Sequence, residues 1–171
     1  MADMTFNTPA GQVVDRKLFI LYLNTATYAE PAWAAIGKRV EDSSMEYDWQ
    51  DESKKDILGD THSTMRQPIV KQSFDPCELD SDDKAQLHIW NKAVKEQDAA
   101  ALCNMDLLVV HAYAGTADTA VFAERYPSSM VKPTGLGGSS SVGMPIDVTF
   151  GGKRETGTAA IGAAGVTFTA D

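Results

Sequence analysis

Residues 17–23, KLFILYL, run almost unbroken in apolar and β-prone side chains. That is the pattern of a strand in a sheet buried on both faces, or covered by another subunit. Residues 105–113, MDLLVVHAY, repeat it. Between them the rhythm changes. After a turn around Pro31, WAAIGKRV leads into a stretch in which Met45, Tyr47 and Trp49 alternate with Glu46 and Asp48, the period-two signature of a half-buried strand. QPIVKQSFDP alternates as well, with Ile69, Lys71 and Ser73 on one face and Val70, Gln72 and Phe74 on the other. That composition leaves its core face open, and Pro68 stands at its start, where a missing N–H is tolerated.

Past Trp49 the alternation dissolves into the charged stretch QDESKKDILGDTHSTMRQ. The strands on either side can pair as one long hairpin, with DILGDTHST near its tip; we read about 43–72 as an extended arm. A helix follows in ELDSDDKAQLHIWNKAVKEQDAAAL. Asp80, Ser81 or Asp82 is its expected N-cap, with acids in the first turn to suit the helix dipole. Leu87, Trp90 (or Ile89) and Val94 recur at helical spacing as its packing face. The last third is rich in Gly, Ser, Thr and Ala, with strand pieces around 146–150 and 166–169 and a surface loop at about 134–143. The expected fold is a single domain over residues 1–171, mostly β or α+β: a sandwich or barrel with one flanking helix and a hairpin arm.

Composition narrows the function classes. The 171 residues carry 15 basic against 24 acidic side chains, a net charge of −9. That balance argues against wrapping nucleic acid by phosphate neutralisation, though not against a surface that nucleic acid slides past. Cys77 and Cys103 lie far apart in no metal-like spacing and read as reduced thiols of a cytoplasmically assembled protein. The N-terminal stretch has no basic start, and its apolar run is too short for a signal or membrane segment.

Catalytic patterns are near misses. Ser129 and Lys132 match an S-x-x-K spacing but precede Pro133 instead of standing on a helix. GLGGSSSVG lacks the register of a nucleophile elbow or phosphate loop. Asp75, Glu78, Asp80, Asp82 and Asp83 lack the glycine and terminal glutamate of a calcium loop and suit a helix cap. His62, His88 and His111 share no spacing. The expectation is a protein with no enzyme activity, cofactor or metal.

A siteless acidic domain with strongly β-prone strands and a charged arm suits a self-assembling subunit, because a neighbour's strand protects an edge that would otherwise aggregate. Residues 33–91 resemble the tail tube proteins of long-tailed bacteriophages. The likeness rests on Trp33, Ile36 and Gly37, the Tyr47-x-Trp49 strand, the DILG of Asp56–Gly59, and the turn of Phe74, Asp75, Pro76, Glu78 and Leu79 before the helix. It implies a β-sandwich or barrel assembled as hexameric rings, stacked into the conduit for genome ejection. Asp51, Glu52, Lys54, Lys55, Asp56, Ile57 and Leu58 would form an inter-subunit arm reaching the next ring, rooted by Met45, Tyr47 and Trp49. Implied partners are further copies of the chain and other tail proteins (tape measure, terminator, baseplate or distal tail). Genome DNA would pass without specific binding, no membrane would be involved, and the protein would reside in the virion tail. The alternatives are a carbohydrate-binding or decoration module, with Trp33, Tyr47 and Trp49 as a sugar platform, and another ring-forming tail protein such as a terminator or joining protein.

Overall fold

The two apolar runs find each other. In the computed structural model, which describes residues 3–171, β1 (Phe19–Asn24) pairs antiparallel with β7 (Met105–Thr116), placing Leu21 opposite Val109. On the far side of β1 lies β2 (Trp33–Ile36), so WAAI is a strand in its own right and not a lead-in. β7 continues through a turn into β8 (Ala120–Pro133), the longest strand, which the sequence pattern did not predict. Gly115 at that turn has φ of +101°, and a Cβ there would meet the Ala120 carbonyl oxygen at 2.5 Å. Glycine is required at this point because it alone fits both the backbone angle and the space.

β8 belongs to two wings of one nine-stranded sheet. Its first part pairs with β7 and with β10 (Glu155–Gly162), which in turn carries β11 (Gly165–Ala170). Its end, from Met130 to Pro133, pairs with β9 (Ile146–Thr149), followed by β6 (Ile69–Phe74) and β3 (Met45–Asp48). The wings share one core. Leu21, Leu23, Leu107 and Val109 from the first cluster with Val70, Phe74, Ile146 and Val148 from the second. Val70 and Phe74 therefore settle the open face of β6: the even-numbered side is buried.

The opposite face of the first wing holds a second cluster of Tyr22, Leu108, Val110, Val121, Ala123 and Ala159. This wing is apolar on both sides, which explains why β1 and β7 read as unbroken runs. The molecule is thus a mostly-β fold with a large antiparallel sheet, as the patterning indicates.

The helix differs from expectation. It is short, α1 (Lys84–Trp90), passes into a π turn at Asn91–Lys95, and restarts as α2 (Ala99–Leu102) after Gln97 at φ +51°. Asp83, one residue beyond the expected candidates, is its N-cap, accepting from the Gln86 N–H. Ala85 and Ile89 form the buried stripe. Leu87 is 55% exposed and is not part of the packing face. At 3.6 residues per turn it lies nearly opposite Ala85 and Ile89. Trp90 is half-buried against the core, and Val94 is half-buried in the π turn.

Candidate assembly surfaces

The charged stretch is folded as the outer part of a hairpin. β4 (Glu52–Lys55) and β5 (Thr61–Thr64) form their own two-stranded ladder, with Lys54 opposite His62. The Arg66 N–H donates to the Trp49 carbonyl, linking this ladder to the β3–β6 pair, so a single hairpin runs out of the body. Its strands are polar on both faces and all four residues of each are exposed. Charge and exposure hid them from a hydrophobic-period reading.

At the tip, Asp56 organises the turn. One carboxylate oxygen accepts from the Leu58 and Asp60 N–H groups, and the other bonds His62 Nε2 at 2.9 Å. The His62 bond is the main influence, with the backbone N–H groups, that holds the Asp56 carboxyl below its ordinary value. Gly59 at φ +93° completes the reversal. Ile57 is 102% exposed and Leu58 84%. The turn holds two apolar side chains in water on an ordered support. Asp51, Glu52, Lys54 and Lys55 stand along the hairpin behind them.

The root is only partly in the core. Met45 packs against the main cluster. Tyr47 and Trp49 are each 46% exposed and stack on one another, with ring centroids 6.0 Å apart and planes 18° apart. They border a cavity of about 600 Å³ that also meets Glu124, Tyr126, Phe150 and Arg154. Nothing in the strand's alternation distinguishes a core from an aromatic shelf. In its depths Glu124 accepts from Arg154 Nε and lies 3.1 Å from His111 Nε2. Burial pushes the Glu124 carboxyl up, but the bonds and charges of His111 and Arg154 outweigh it and leave it below its ordinary value. Burial likewise raises the neighbouring Tyr126 hydroxyl to about 12.

A second cavity, about 410 Å³, opens at the other end of β3. Phe19, Leu21, Ile36, Val40 and Phe74 supply apolar wall, and Arg16, Lys17 and Lys38 stand around it with one acid, Glu41. Gln72 shares the buried side of β6 with Phe74, and its amide nitrogen donates to Ser43 Oγ. Its amide oxygen is buried without a hydrogen-bond partner among the described residues.

The first wing ends in two edges, β2 (WAAI) and β11 (GVTFTA), neither with a charged side chain. Among the described residues, β2 pairs only with β1 and β11 only with β10.

The remaining candidates resolve into structure. Ser129 is buried on β8, donating to the Tyr126 carbonyl and accepting from the Gly151 N–H, so it is engaged away from Lys132. Asp80 binds Arg39 and Lys38, which ties the approach to α1 to the turn after β2. The loop at 134–143 is pinned to the segment before α1 by Leu79 N–H to Val142 carbonyl and Ser141 Oγ to Glu78. Cys77 and Cys103 are free thiols, the first buried and the second exposed. His88 is half-buried on α1, and burial lowers its pKa. Among the described residues no three His, Cys, Asp or Glu side chains are grouped to hold a metal, and no helix is long and apolar enough to cross a membrane.

No family model matches the chain, and no curated protein matches it. Solved structures show a distant likeness. The extended-state sheath–tube complex of an extracellular contractile injection system (PVC) aligns at a TM-score of 0.47 and 11% identity, over 86% of this chain and 93% of that one. The PVC sheath/tube terminator in the extended state aligns at 0.49 and 11%, over 86% and 99%. The tube-terminating cap of the anti-feeding prophage aligns at 0.45 and 12%, over 96% of each chain. At TM-scores below 0.5 these likenesses carry no argument about what this chain does.

Proposed function

We propose that the chain is a non-enzymatic structural subunit of a bacteriophage tail tube, built to repeat as rings and to stack them. The observation that carries this reading is the pair of uncharged, singly paired edges at the two ends of one sheet wing. An uncharged, singly paired edge leaves backbone N–H and C=O groups that a strand from another copy can pair. An edge on each side lets a head-to-tail repeat satisfy both, and a heterologous contact of that kind closes into a ring when its rotation allows. The ordered hairpin projecting from the body supplies a contact in a second direction. The resemblance over residues 33–91 points the same way, and the net charge of −9 suits a conduit that DNA traverses without sticking. On this reading the protein assembles in the host cytoplasm and resides in the virion tail with other tail proteins.

Negative-stain microscopy of the purified protein tests the reading. Rings or tubes are the expected outcome, a single unstacked ring would favour a terminator or joining role, and a monomer at high concentration with tail components present would overturn it. A second reading, a carbohydrate-binding or decoration module, is favoured by the half-exposed Tyr47–Trp49 shelf beside its cavity. Saturable quenching of tryptophan fluorescence by glycans, lost in Trp49→Ala, would support it.

A further inference from the structure

The Tyr47–Trp49 shelf and the Glu124–Arg154 pair border the same cavity. Tyr47 pairs with the buried Val70 in the β3–β6 ladder, so its ring stands on the core side of the hairpin root, and Trp49 stacks on it there. Glu46 and Lys71 pair one position along and take the opposite side. The two rings partner each other, and about half of each is left to solvent.

The charges around the cavity do not balance, with Lys153 and Arg154 against Glu124. Glu124 is nearly buried and uses both oxygens within the protein, Oε1 on Arg154 and Oε2 toward His111 Nε2. Arg154 is different. Glu124 engages only the Nε–Nη2 edge of its planar fork, and the side chain stays half exposed. The opposite edge is left for an acceptor, with the Tyr126 hydroxyl beside the guanidinium. Lys153 is exposed and forms no ion pair among the described residues. In a chain of net charge −9 this cationic rim is a local exception.

The loop before β10 holds both cations in place. A Cβ on Gly151 would meet the Ser128 carbonyl oxygen at 2.5 Å, and one on Gly152 would meet the Ser128 nitrogen at 2.9 Å. Glycine at both positions lets the loop lie flat on β8, and the Gly151 N–H fastens it to Ser129 Oγ. Arg154 is therefore positioned before any ligand arrives, and little order is lost on binding.

We propose that this cavity binds a pyranose carrying a carboxylate, a uronate or sialate unit. The sugar ring lies on the Tyr47–Trp49 shelf, and its carboxylate meets the open edge of Arg154 with Lys153 beside it. A two-donor guanidinium edge matches a carboxylate in shape and charge. The electron-rich aromatic face matches the weakly positive C–H face of a sugar ring. The volume of about 600 Å³ falls in the size range of small-ligand sites. Such a site rests on the carbohydrate reading above, deepens it by naming the ligand's charge, and does not depend on ring formation.

Calorimetric titration of the full chain with trigalacturonate and with sialyllactose, each against its methyl ester, tests the assignment. At least one acid should bind saturably, with its ester at least about tenfold weaker, or 1.4 kcal/mol. Added salt should weaken the acid and not the ester. Lys153→Glu alters an exposed, unpaired side chain and leaves the Glu124–Arg154 pair intact. It should weaken the acid about tenfold while sparing the ester. Trp49→Ala should abolish binding of both. Equal binding of acid and ester would overturn the proposal and leave the carbohydrate reading standing. No saturable binding of any of these probes would overturn both. Binding indifferent to Lys153→Glu and to Trp49→Ala would place the saccharide elsewhere and overturn the site.

Discussion

Arg125 and Asp106 lock together across β8 and β7 as a two-pronged pair, Nε to Oδ1 at 3.0 Å and the terminal nitrogen to Oδ2 at 2.6 Å. Both are nearly buried. The same guanidinium lies 3.9 Å from the Tyr28 ring centroid and donates to the Tyr28 carbonyl, while Asp106 accepts from Asn24. One ion pair thus fastens the β1–β2 connection over the face of the first wing.

Asp106→Ala should therefore be severe. Removing one partner leaves a buried cation uncompensated, a loss of about 3–5 kcal/mol. Urea denaturation should show the drop, and the β1–β2 connection should become the first site of limited proteolysis.

The helix makes a paired prediction. Ile89→Ala should cost about 2–5 kcal/mol through the cavity it leaves, whereas Leu87→Ala should stay within about 0.5 kcal/mol as a surface change. Equal losses in chemical denaturation would contradict the exposed placement of Leu87.

Acid should release the link between α1 and the turn after β2. The Asp82 N–H, then Arg39 and Lys38, hold the Asp80 carboxyl down to about 2. Its folded value lies below its ordinary one of 3.8, so the stabilisation is present above about pH 4 and is lost as pH falls through about 2. A carbon-detected NMR titration should place Asp80 near the lower figure, and Asp80→Asn should remove that part of the acid dependence.

Deleting residues 50–66 should leave the domain folded, because the β4–β5 ladder is exposed throughout. Circular dichroism should retain the sheet signal, while stacked assemblies should vanish under the microscope. An unfolded product would mean that the arm supports the core.

Much of the sheet was written in local pattern. β1 and β7 read as doubly buried because they are, and the alternation of β6 and β3 survives into their pairing. β8 was hidden because Glu124, Arg125 and Pro127 interrupt its apolar run. Those charges are tolerable only because His111 and Asp106 arrive from β7 and Arg154 from the loop before β10. β2 was too short to stand out, and β4 and β5 carry no apolar face at all.

The candidate surfaces divide the same way. The sequence by itself determined a mostly-β chain with one amphipathic helical segment and a charged excursion after Trp49, because periodicity and charge are local properties. Tertiary structure alone decided that the hairpin carries a separate β4–β5 ladder, that Tyr47 and Trp49 form a shelf instead of a core, and that a cavity lies behind them. Those outcomes depend on which distant groups meet a side chain, and register along a strand does not encode its neighbours across space.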